Sequence, residues 1–191
     1  MAAAKTTVGY VLSMAVADNV FMGGAMVTDM QGLPLEFRYT EPVRATKLQR
    51  VLYGDVLEKY IHGDVVAANL ISRLEQKPEL FLVGDAALLP AFVAAGKKAV
   101  LLLPTRLPPL KEWGAEQIVA DDELLLQVSE TGSPIRVRFA ADVDAARKAE
   151  AVRSLADISR TMDALEPLAR LESAVRMLWE DVPETPVADR A

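Results

Sequence analysis

Cysteine is absent from the 191-residue chain, and histidine occurs once, as His62. The first absence removes disulfides, thiolate zinc sites and cysteine nucleophiles together. The second removes histidine-rich metal sites. No serine occupies a G-x-S-x-G elbow and no G-x-x-x-x-G-K-[ST] loop occurs, so neither that serine triad nor a phosphate loop is expected. No apolar run approaches the ~20 residues of a membrane span. The pattern calls for no cofactor and no membrane.

Basic residues are also in deficit, 21 Lys and Arg against 27 Asp and Glu, for a formal net charge of -6. That balance disfavours sequence-independent nucleic-acid binding, which needs a basic face to displace counterions from phosphates. Nucleic acid is therefore not an expected partner. Arg38, Arg44, Lys47 and Arg50 form the best basic cluster and read as a solvated face.

What the chain does contain is 51% hydrophobic residues, enough for one sizeable core. Val8 to Val16 has some features of a secretory h-region, with Lys5 before it and Ala15-Val16-Ala17 after. It serves equally as a first strand, and a cytoplasmic protein is expected. Val20 to Thr28 gives a second strand. Leu35 to Thr40 gives a third, alternating Leu35, Phe37 and Tyr39 with polar residues, so the apolar set should face the core. Asp29-Met30-Gln31-Gly32 closes a hairpin between the last two.

Pro42 ends the third strand, and a helix follows in which Leu48, Leu52, Val56 and Tyr60 recur at four-residue spacing. Val51, Leu57 and Ile61 widen that stripe enough to cover a sheet. Gly63 reads as its stop and Asp64 as the cap of a second helix. Glu79 to Asp85, a helix over Ala86 to Ala95, and Ala99 to Leu103 make a β-α-β unit with parallel strands. Gln117 to Ala120, Leu124 to Val128 and Ile135 to Phe139 are shorter strands. Amphipathic helices span 142–179, and residues 182–191 form an acidic tail expected to fray.

The expected fold is a single α/β domain over 1–181, with a mixed sheet: an antiparallel meander, then β-α-β units. This order resembles that of the ribonuclease-H-like fold. Nucleases on that fold gather carboxylates at strand ends to hold two divalent cations, and the candidates here are Asp18, Glu36 and Asp85. Asp18 sits in a turn and Glu36 points outward from its strand, so only Asp85 occupies a place such folds use for chemistry. Scattered surface carboxylates explain the set better. Gly23-Gly24 marks a close approach of a neighbouring element rather than a phosphate site. His62, before a glycine at a helix end, reads as a capping residue.

A denser polar set, Arg38, Glu41, Arg44, Gln49, Arg50 and Tyr53, with Thr46 beside it, suits an anionic ligand or a partner peptide. It suits an internal network pinning the helix to the hairpin slightly better. The block Gly23-Gly24, Val27-Thr28-Asp29, Gly32, Pro34 to Phe37, Thr40, Pro42-Val43, Gln49 and Leu52-Tyr53-Gly54 resembles one shared by uncharacterised bacterial proteins of this size. That resemblance implies a bacterial origin and a common fold, and it transfers no activity. The leading expectation is a non-catalytic cytoplasmic binding or scaffold protein engaging a protein partner or a second copy. The alternative is a divergent ribonuclease-H-like metal-dependent phosphodiesterase.

Overall fold

The structure is a computed structural model that describes residues 6–141 and 143–182. The expected frayed tail and Lys5 therefore lie outside the described residues, apart from Val182. Among the described residues nine strands are formed: β1 (Val8–Ala17), β2 (Val20–Thr28), β3 (Pro34–Tyr39), β4 (Val43–Arg44), β5 (Leu80–Val83), β6 (Ala99–Leu103), β7 (Glu116–Ala120), β8 (Glu123–Leu126) and β9 (Ile135–Phe139). They make one sheet in the order β3-β2-β1-β5-β6-β9-β8-β7, with β4 on β2. β1, β2 and β3 are the expected antiparallel meander, and β1, β5 and β6 run parallel. The remaining pairings are antiparallel. Val8 to Ala17 is thus a central strand, with Tyr10 and Val11 fully buried, and its removal would open the sheet in the middle.

Helices α1 (Lys47–Tyr53), α2 (Leu57–Tyr60), α3 (Ala68–Arg73) and α4 (Leu89–Ala94) precede α5 (Ala145–Ser159) and α6 (Glu166–Glu180). α5 and α6 cover one face of the sheet, where Leu155 and Leu171 meet Tyr10, Leu82, Leu102 and Val137. The other face is covered from within residues 57 to 92, where Leu57, Val66, Leu70, Leu88 and Phe92 meet Val11, Phe21 and Phe81. The two adjacent glycines of β2 serve both layers. A Cβ on Gly23 would press on Val66, and one on Gly24 would lie 2.8 Å from Val175 and 2.9 Å from Leu171.

Three local expectations are corrected. The stripe on α1 does not cover the sheet, because Leu48, Val51, Leu52 and Val56 are 60–81% exposed and α1 buries no residue. A 3-10 turn at Gly54–Val56, entered through Gly54 at φ +52°, breaks the helix, so only Leu57 and Ile61 of the stripe reach the core. Gly63 does not stop a helix either. It lies inside a π-helical stretch, Ile61–Ala67, that runs straight into α3. Finally, β3 is inverted: Leu35, Phe37 and Tyr39 are exposed, while the Glu36 side chain is only 9% exposed. The reason is polar. The backbone N–H groups of Glu75 and Gln76 both donate to the Glu36 carboxylate, an interaction no apolar side chain offers.

Candidate functional site

In an open α/β sheet a ligand crevice forms beyond the carboxyl ends of the strands, where successive connections leave in opposite directions. Here that point lies between β1 and β5, since β2 and β3 extend the sheet to one side and β6 to the other. Val11 pairs with Val83 in parallel register, so Ser13 and Asp85 stand at one level two residues further on. A groove of about 560 Å³ opens there, lined by Leu12, Ser13 and Met14 of β1, by Asp85, and by Glu172 and Arg176 of α6, among others.

Each polar wall has a structural tie. Asp85 Oδ1 accepts the Ala87 backbone N–H at 2.8 Å and caps the turn Ala86–Leu88. Glu172 and Arg176, one helical turn apart, are joined at 2.7 Å. Ser13, 8% exposed, meets Nδ1 of His62 at 2.7 Å, and the imidazole stands edge-on to Phe21 with centroids 5.3 Å apart. His62 is therefore not a helix-end cap. It is held against β1 from within a continuous helical segment.

The residues singled out from the sequence do not converge. Glu36 lies on β3, three strands from β5, or about 14 Å across the sheet at ~4.8 Å per strand. Its carboxylate is committed to Gln76, Glu75 and Arg38. Burial acts to raise its pKa, but those donors outweigh it and hold the group below the ordinary carboxylate range. Asp18 sits in the β1–β2 turn, and only Asp85 enters the groove. Among the described residues no three His, Asp or Glu side chains gather as a metal site. β1 brings Leu12 and Met14 to the groove instead of a carboxylate, so the donor set does not fit the two-cation cage that ribonuclease-H-like nucleases use.

The polar set around α1 is likewise divided. Arg38 bonds Glu36 at 2.9 Å and Glu75 at 2.6 Å, tying β3 to the segment after α3 rather than to α1. Gln49 closes a capping box with Thr46. Tyr53 packs on Tyr60 at 5.0 Å, and the Arg44 guanidinium lies 5.8 Å over the Trp179 ring. Glu41 and Arg50 are exposed. Sequence reasoning missed Ser13, Glu172 and Arg176. Ser13 had one signal, being the only hydroxyl other than Tyr10 in an otherwise apolar β1.

The strand order and the crevice at the switch point define a ribonuclease-H-like fold. Solved structures that share it include endonucleases. An Endonuclease V from Streptomyces avermitilis superposes with TM-score 0.64 at 17% identity, covering 92% of this chain and 82% of its own. Human Endonuclease V gives TM-score 0.65 at 14% identity, over 92% and 84%. Ciona intestinalis Endonuclease V (D234N), bound to a 23-mer DNA containing an inosine followed by a ribo-adenosine, gives 0.59 at 10%, over 92% and 86%. No protein-family model matches the chain, and no curated protein matches it.

These likenesses correct two expectations. A non-catalytic scaffold for a protein partner is not what the fold points to, because these Endonuclease V structures share it along most of their length. The dismissal of nucleic acid fails for the same reason: a net charge summed over the chain says little about one crevice. No helix among the described residues is long and apolar enough to cross a membrane.

Proposed function

We propose that this protein acts on nucleic acid in the cytoplasm as a divergent ribonuclease-H-like phosphodiesterase, taking a strand in the groove beyond β1, β5 and β6. The observation that carries this reading is the meeting of Asp85, from the strand end, with Glu172 and Arg176, from α6, across an apolar floor at the switch point. An apolar cleft with a few polar groups accepts a planar base, and the Arg176 guanidinium, which exchanges its Glu172 partner for a phosphate oxygen, holds the strand. The fold shared with Endonuclease V supports the substrate class.

With a net charge of -6, long-range attraction to the strand is absent and binding rests on short-range contacts. The expected result is saturable binding of labelled single-stranded DNA or RNA at low ionic strength, read by fluorescence anisotropy. Arg176→Glu should weaken it about tenfold or more, as expected for a charge-assisted contact worth ~1.5–3 kcal/mol. Strand cleavage is followed on gels in the same samples. Absence of binding to every single-stranded and duplex oligonucleotide at low salt would remove the proposal.

A further inference from the structure

β3 is the last strand on its side of the sheet, and among the described residues nothing pairs with its outer edge. We propose that this edge takes β3 of a second copy, antiparallel and centred on Phe37, so that two sheets join into one. The proposal does not rest on the reading above. The groove beyond β1 and β5 lies on the far side of β2, and pairing through β3 leaves it open.

The main chain sets which groups are free. Thr40 donates its N–H to the Gly23 carbonyl oxygen at 3.0 Å, and the register against β2 is regular from there to Glu36 opposite Val27. Hydrogen bonding in an antiparallel ladder alternates from residue to residue. Arg38 and Glu36 therefore turn their main-chain groups toward β2, whereas Phe37, Tyr39 and the Leu35 carbonyl turn theirs outward. With Phe37 on the two-fold axis, each Phe37 N–H meets the carbonyl of the other Phe37, and each Tyr39 N–H meets the other copy's Leu35 carbonyl.

The side chains select a second copy as the occupant. Charged residues commonly guard such an edge by repelling a like one, but those of β3 match themselves. In this register Arg38 stands across from Glu36 of the second copy, so unlike charges oppose each other on both sides of the axis. The two neighbouring registers would set Arg38 against Arg38, or Glu36 against Glu36. On the other face the exposed Leu35, Phe37 and Tyr39 meet the same three residues, Leu35 against Tyr39 and Phe37 against itself. Phe37 and Tyr39 are already stacked with centroids 5.8 Å apart, so that apolar surface is formed before the partner arrives. An unrelated extended peptide would satisfy the main chain equally well without this match of charge and apolar groups.

Sedimentation equilibrium of the full chain tests for the dimer, which is expected in the micromolar range because a one-strand interface is small. Phe37→Lys sets two ammonium groups on the axis and should weaken association about tenfold or more, with the circular dichroism spectrum unchanged. The register is read by disulfides, since the chain has no cysteine of its own. Phe37→Cys should cross-link to itself on mild oxidation, its two Cα atoms standing about 5.5 Å apart, whereas Leu35→Cys, about 14 Å from its own copy, should not. Mixed Leu35→Cys and Tyr39→Cys chains should give the heterodimer in preference to either homodimer. A chain that stays monomeric at about 100 μM overturns the proposal, whatever other polypeptide the edge captures. So does a dimer that Phe37→Lys leaves intact, or one in which Leu35→Cys cross-links to itself as fast as Phe37→Cys does.

Discussion

The Glu36 carboxylate accepts the backbone N–H of Gln76 at 2.8 Å, fastening the outermost strand of the meander to the link between α3 and β5. Two further donors, the Glu75 N–H and Arg38 Nε, complete the site. The partly exposed Arg38 adds little by itself, whereas the main-chain N–H groups of Glu75 and Gln76 depend on the Glu36 carboxylate among the described residues.

Glu36→Gln should therefore destabilise the fold by about 1–3 kcal/mol, measured by urea unfolding at neutral pH. The sign of the pH dependence follows from the lowered pKa of the folded carboxyl. Its stabilisation is complete above the ordinary carboxylate value of about 4.3 and is lost as pH falls through the folded value. The gap between wild type and variant should thus narrow below pH 4. A constant gap down to pH 2.5 would count against the ionised carboxylate.

The neighbouring glycines of β2 should rank by what a methyl group meets. On Gly23 it would fall against Val66 and 2.8 Å from the Leu12 carbonyl oxygen, which belongs to the ladder and cannot move aside. On Gly24 its nearest neighbours are side-chain atoms of Val175 and Leu171. Gly23→Ala should cost about 2–3 kcal/mol and Gly24→Ala about 1–2, compared by thermal denaturation.

Leu48 and Leu52 offer the opposite test, since both are about two-thirds exposed or more, at 67% and 70%. Leu48→Lys and Leu52→Lys should each shift stability by no more than about 0.5 kcal/mol. A loss of 2 kcal/mol or more in the monomer would place the stripe back on the sheet.

On β8, Glu123 is 5% exposed and receives Arg138 and Arg136 from β9. The Arg138 hydrogen bond, assisted by the charge of Arg136, lowers its carboxyl pKa. Glu123→Gln removes the carboxylate charge that both guanidinium groups meet and should cost about 1–3 kcal/mol, read from denaturant midpoints. Glu123→Ala should cost at least as much.

Much of the fold was legible in local pattern. Val8 to Val16 and Leu80 to Val83 read as strands because apolar β-prone runs bounded by turn residues have few other solutions. The succession of three antiparallel strands, a helix and parallel strands predicted the sheet order around β1 and β5. The candidate site was legible only at Asp85. Leu12 and Met14 read as core, and nothing in a linear pattern shows that such residues also floor a crevice.

Hydrophobic periodicity is a local property, so the sequence by itself determined which segments are strands and helices and in what order they come. It says that two faces of an element differ without saying which face finds a partner. The tertiary structure decided that β3 turns Glu36 inward, because main-chain donors waited there, and that α1 stands clear of the sheet, because the turn at Gly54 swings it away. It also decided that Ser13 and His62, 49 residues apart in the chain, meet. That depends on a crossing of strand and helix that only long-range packing can fix.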